Sequence, residues 1–139
     1  EGLGAVNRQV LKRSLKDDGI KGYSLDIDAT GIDAEKRSAH WTYKGSKGYM
    51  PMVGHLAENG LVVGDEFRQG NEAPASRNLE FIRYCQKQLP KGKKITAVRA
   101  DSESYLTFNT PAILIGPIFI YAISIGCTET AQYNKVTNL

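Results

Sequence analysis

Leu25 and Ile27 alternate with Asp26 and Asp28 in the stretch YSLDIDATG, residues 23–31. That period of two predicts a strand over Tyr23–Ala29. Bare carboxylates are costly in a buried strand. The pattern therefore demands a cation from solution, a paired basic side chain, or an exposed edge. Before it, Val6, Val10, Leu11 and Leu15 recur at helical spacing, with Arg8, Lys12, Arg13 and Lys16 crowding the other face. Residues 1–22 read as a helix and a turn, ended by Asp17-Asp18-Gly19. The basic face reads as a solvated surface, with phosphate contact as its functional alternative.

Residues 33–50 are polar and punctuated by glycine. Met52–Ala57 and Leu61–Phe67 read as antiparallel strands joined at Asn59-Gly60, a pair that tolerates positive φ in a type I′ turn. After a loop at 70–74, Ala75–Leu89 reads as an amphipathic helix with Leu79, Ile82, Cys85, Gln86 and Leu89 on one stripe. Pro90 and Gly92 stop it, and Lys94–Ala100 forms a further strand that runs into Asp101.

The order is strand, hairpin, helix, strand, which favours a parallel, right-handed return of the last strand beside the first. Asp28 and Asp101 then fall at the C-terminal ends of neighbouring strands, where open α/β sheets form their sites. A divalent cation between them would explain why carboxylates are tolerated there. Arg99 shares the face of Asp101 and is the salt-bridge rival to that cation. His40 and His55 have no ligand partners at metal spacing and read as structural.

The tail breaks the pattern. Residues 106–139 hold one acid, Glu129, and one base, Lys135, and the run Pro111–Gly126 is uncharged. That run is shorter than the roughly 20 residues of a membrane helix, and Pro111 and Pro117 interrupt it. A buried strand pair or a misplaced segment is expected there, and no membrane partner.

Composition adds bounds. The 139 residues suit one domain, at 41% hydrophobic and 24% charged. A net charge of +3 permits a nucleic-acid partner without demanding one. Cys85 and Cys127 give neither a disulfide framework nor metal spacing, and no secretory signal opens the chain, so a reducing, cytoplasmic setting is expected. The chain begins at Glu1 without an initiator Met and reads as a piece of something longer.

The segments LDIDATG, WTYKGSKGYMPMVGHLAENGLVVGDEFRQGNEAPASRNLEFI and VRADSESY, within residues 20–105, together resemble the catalytic core of DDE transposases from bacterial insertion sequences. The resemblance implies an α/β, ribonuclease H-like mixed sheet with its first and fourth strands side by side. It makes Asp28 and Asp101 the first two catalytic carboxylates and ligands of Mg2+ (or Mn2+), with Asp26 a neighbour. It implies DNA, the transposon ends, as substrate and a second copy or an intact transposase as protein partner. In this frame residues 1–22 precede the core, 23–105 are a partial core, and 106–139 are a divergent apolar tail. The family's third carboxylate, a glutamate on a later helix, has no counterpart after Tyr105. Beyond Glu103 only Glu129 remains, without matching context. The incomplete core reads as a truncated or frame-disrupted copy.

The chemistry accounts for these residues. Two-metal phosphoryl transfer sets two ions about 3.5–4 Å apart on shared carboxylates. DNA must also be held, and Lys44 and Lys47 interleave with Trp41, Tyr43 and Tyr49, a mixture suited to phosphates and exposed bases. The alternative is a polar loop whose aromatics fold onto the core. The expected function is thus a transposase fragment for Mg2+-dependent DNA strand cleavage and transfer, inactive alone. Its rivals are a non-catalytic DNA-binding or co-assembling remnant and an unrelated metal-dependent phosphoesterase.

Overall fold

Alternation along the first strand is realised in burial. In the computed structural model, which describes residues 2–73, 76–101 and 119–123, Tyr23, Leu25 and Ile27 of β1 (Gly22–Ala29) are buried, and Ser24, Asp26 and Asp28 lie on the other, more open side. Ahead of it stands α1 (Leu3–Ser14); after it come β2 (Ile32–Asp33), β3 (His40–Trp41), β4 (Lys47–Tyr49), β5 (Met52–Leu56), β6 (Val62–Glu66), α2 (Asn78–Gln88), β7 (Lys94–Asp101) and β8 (Phe119–Ile123).

The fold is α/β with a mixed main sheet in the order β6-β5-β1-β7-β8. β5 pairs antiparallel with both β6 and β1, whereas β7 is parallel to both β1 and β8. The expected return of the strand after the helix to the side of β1 is therefore realised. A second, small sheet, β2-β4-β3, is antiparallel throughout. The core lies between the main sheet and the helices: Leu11 and Leu15 from the α1 end, Phe81, Ile82 and Cys85 from α2, and Leu89 just after it, pack with Leu25, Ile27, Met52, Leu56, Val63 and Val98.

Both helices are rotated from the orientation that their apolar residues predict. On α1, Leu11 and Leu15 are buried but Val6 and Val10 are exposed. At 100° per residue Val10 sits a quarter-turn or more from the Leu11–Leu15 line, so one helix face cannot bury all four. On α2, Leu79 is exposed and Phe81 is buried in its stead. The buried arc is centred on Asn78, Cys85 and Leu89. Asn78 is drawn inward because its Oδ1 accepts a hydrogen bond from the buried Arg68 (NH1, 3.4 Å), a polar anchor that apolar periodicity does not register.

The hairpin lies where Asn59-Gly60 marks it, but the turn is not type I′. Gly60 takes φ 70° and Asn59 stays out of the left-handed region. Residues 57–60 form a longer loop in which Gly60 N donates to Leu56 O (2.7 Å) and Asn59 Oδ1 accepts from Leu61 N (3.1 Å). Asn59 acts through its side chain, not through positive φ. The stretch read only as polar and glycine-punctuated forms the small sheet. Its packing leaves no room for side chains at two positions. A Cβ on Gly48 would stand 2.2 Å from Ile32 O, and one on Gly70 2.4 Å from Gly48 O.

Part of the apolar tail run forms β8 beside β7, as a strand. Among the described residues no helix is long and apolar enough to cross a membrane. The boundary expected at 105–106, the remainder of the tail, Glu103 and Glu129 lie outside the described residues.

Candidate functional site

The parallel pairing of β1 and β7 sets Asp26 opposite Arg99 and Ile27 opposite Ala100. Asp28 and Asp101 are the next residues of each strand, and Asp101 is in turn paired with Ile123 of β8. The two strand-end aspartates thus occupy neighbouring positions at the centre of the main sheet. The Asp28 side chain is exposed, and its Oδ2 accepts a hydrogen bond from Thr30 Oγ1 at 3.3 Å. The side chain of Asp101 lies outside the described residues.

Asp26 has a different fate. Arg99 grips its carboxylate with Nε and NH2, one donor to each oxygen, and His55 Nε2 approaches at 3.4 Å. That hydrogen bond raises the pKa of Arg99 above its already high value. Such two-pronged contact is the strong form of the carboxylate–guanidinium pair. The basic side chain demanded by the alternation is therefore Arg99, and it serves Asp26. His55 lies against the same carboxylate, whereas His40 is exposed on β3. Among the described residues, no group of three or more His, Cys, Asp or Glu is arranged to hold a metal ion.

The small sheet hangs from the same end of β1. Thr30 N donates to Pro51 O (3.0 Å), Met50 N to Arg68 O (3.0 Å), and Tyr49 bridges to Gln69. Trp41 and Lys47 are direct cross-strand partners on β3 and β4. Trp41 is 64% and Tyr43 54% exposed, so these aromatics do not fold onto the core. Lys47 Nζ sits 5.7 Å from the centroid of the Trp41 ring, and Lys44 Nζ 5.5 Å from that of Tyr43. Trp41, Tyr43, Lys44 and Lys47 therefore lie on one exposed strand-turn-strand unit, whereas Tyr49, the third aromatic of the stretch, is half-buried and packs against Phe67. Beside them opens a cleft of about 560 Å³ lined by Asp33, Glu35, Trp41, Ser46 and Lys47.

Two ionic clusters hold this frame. The buried Arg68 donates to Glu66 Oε2 through Nε (2.8 Å) and NH2 (2.7 Å) and lies over the Phe81 ring. Arg77, the one described non-glycine residue at positive φ (56°), bridges Glu66 and Glu72. Together they fasten the start of α2 to the end of β6 and, through Arg68 O, to the small sheet. At the opposite end of β1, Lys93 bonds to Asp18 and Ile20 O, and Tyr23 OH bonds to Asp18. Sequence reasoning missed both clusters. Their only signal is the run of opposite charges in DEFRQGNE and the acidic pair before Gly19.

No protein-family model, no curated protein and no solved structure matches this chain.

Proposed function

We propose that the chain carries a partial catalytic core of a DDE transposase of bacterial insertion sequences, a ribonuclease H-like unit for Mg2+-dependent cleavage and transfer of DNA strands. The observation that carries this reading is the register of β1 and β7, in which the steps after the Ile27–Ala100 pair are Asp28 and Asp101. The sheet order supports it as well. Three antiparallel strands, β6-β5-β1, continue into parallel β7 and β8, and the first and fourth strands of the main sheet are neighbours.

The donor chemistry fits a hard cation. Asp28 presents an exposed carboxylate whose described partner is the Thr30 hydroxyl, and oxygen donors with retained waters suit Mg2+ or Mn2+. Asp28 and Asp101 would hold the ion. Once bound, such an ion supplies activation of a water or DNA 3′-hydroxyl and stabilisation of the leaving oxygen. Thr30 orients the Asp28 carboxylate. Arg99 neutralises Asp26 and so keeps a third negative charge on this face from competing for the cation. Lys44 and Lys47 hold phosphates, and Trp41 and Tyr43 offer stacking faces.

Two carboxylates without the family's third bind the ion weakly and position it poorly, and an in-line displacement is sensitive to such misplacement. The chain alone is therefore expected to hold DNA without cutting it. A second copy or an intact transposase is the fitting protein partner, in the cytoplasm. The exposed aromatic and lysine side chains of β3 and β4 favour a DNA-holding remnant as the second reading.

The test is a Mn2+ titration followed by electron paramagnetic resonance. Asp28→Asn and Asp101→Asn should each weaken binding by on the order of 10- to 100-fold, the loss that even outer-shell changes cause. Asp65→Asn, an exposed carboxylate on β6, should not. Equal binding by all four proteins would sink the proposal.

A further inference from the structure

The cleft beside Trp41 carries chemistry that general phosphate contact does not use. Two acidic residues, Asp33 and Glu35, line it together with Trp41 and Lys47. Carboxylates repel the phosphates of a duplex, but they accept hydrogen bonds from amino groups on base edges. One oxygen of Asp33 takes the Ser46 hydroxyl at 2.6 Å, and the other has no partner among the described residues. The cleft is open to solvent, so one flat ring can enter it edge-on from a flexible strand. The walls are set by the backbone. Thr42 N bonds to Ser46 O (2.7 Å), Ala34 N bonds to Lys47 O (2.8 Å), and Gly45 closes the turn at φ 81°.

We propose that this cleft takes one unpaired nucleobase of a DNA strand, stacked on Trp41, with its amino edge toward Asp33 and Glu35 and its flanking phosphates on Lys44 and Lys47. The inference deepens the DNA-holding reading and rests on it. In a duplex the base faces are stacked on one another, and the pairing edges are occupied. Only an unpaired base offers both a free face and a free amino edge. Guanine, cytosine and adenine carry an exocyclic amino group with two N–H donors, whereas thymine offers a single ring N–H flanked by two carbonyl oxygens that the carboxylates repel, so the cleft disfavours thymine.

Trp41 is the sole tryptophan of the chain, so its fluorescence reports the cleft directly. The experiment uses the whole chain in EDTA and low salt, which removes any dependence on the metal site. It compares hexathymidylate, the same hexamer with one central cytosine or guanine, and a duplex of the same length. Single strands should quench Trp41 and the duplex should not. The cytosine and guanine hexamers should bind at least about fivefold tighter than hexathymidylate, the low end of one good base contact. The double change Asp33→Asn with Glu35→Gln should erase that preference. By anisotropy of a labelled hexamer, Trp41→Ala should lose about 5- to 150-fold in affinity, the range for one stacked base. Trp41→Phe should retain most of it. The exposure of Trp41 makes these variants safe for the fold, and circular dichroism checks this. Duplex binding without any Trp41 response, or Trp41→Ala binding as well as the parent, would overturn the inference while leaving the DNA-holding reading in place. Failure of every DNA to bind would overturn both.

Discussion

Truncating Ile82 and Leu79 separately to Ala tests the rotation of α2 that seats the main sheet. The two residues lie one turn apart, and apolar periodicity treats them as equals. In the structure Ile82 is 2% exposed within the core and Leu79 is 38% exposed. Removing three carbons from Ile82 leaves a cavity in the core that α2 shares with the sheet. The expected cost is about 2–5 kcal/mol. At Leu79 solvent fills the space, no cavity forms, and only part of the roughly 1.5–3 kcal/mol of full leucine burial is at stake. Ala is also the better helix former. The expected cost there is about 1 kcal/mol or less. Urea melts read by far-ultraviolet circular dichroism measure both, with unchanged slopes showing that the transitions are comparable. Should Ile82→Ala leave the chain unfolded, Ile82→Val, expected to cost about 0.5–1.5 kcal/mol, keeps the comparison usable. Equal costs at the two positions, or a larger cost at Leu79, would refute this seating of the helix.

Three further outcomes follow from other parts of the structure. Burial pushes the Cys85 thiol up to about 12, so in native protein at pH 8 an alkylating reagent should leave Cys85 unmodified until denaturant is added, as mapped by peptide mass; rapid native labelling of Cys85 would contradict its place in the core. Gly70→Ala should cost on the order of 1–3 kcal/mol and shift Trp41 emission, because its Cβ would collide with the carbonyls of Gly48 and His40; unchanged stability and emission would mean that the small sheet is not seated there. The bond from Lys93 holds the Asp18 carboxyl below its ordinary range, so its contribution is full above about pH 4 and fades as pH falls further; thermal melts between pH 5 and pH 2 should show a smaller acid loss for Asp18→Asn than for the parent, and identical profiles would remove Asp18 from the cluster with Lys93 and Tyr23.

What the sequence disclosed depends on the range over which each signal acts. β1 and β7 are legible because eight-residue strands show their period, and their parallel pairing follows from the strand, hairpin, helix, strand order, in which α2 returns the chain from β6 to the side of β1. Asp26 and Asp28 look alike because the pleat puts both on one side of β1. What separates them is Arg99, 73 residues away, which chooses Asp26. β2, β3 and β4 span two or three residues each, too few for any period to show. They exist because glycines 48 and 70 let backbones approach, a requirement that composition does not reveal. The orientation of α2 was hidden for a different reason. Its central buried residue, Asn78, is polar, and it earns its place through Arg68, not through hydrophobicity. The four residues of the aromatic–lysine unit could be picked out one by one, but their common exposure depends on a sheet that no local pattern announces.

The central claim is that Asp28 and Asp101 form one cation site at the meeting of β1 and β7. A crystal of the protein soaked in Mn2+, with diffraction recorded at the manganese absorption edge, tests it most directly. The account predicts an anomalous peak between the carboxylates of Asp28 and Asp101, on the same face of the sheet as Asp26 and Arg99. A peak bound elsewhere with this position empty, or the two carboxylates on opposite faces of the sheet, would contradict it.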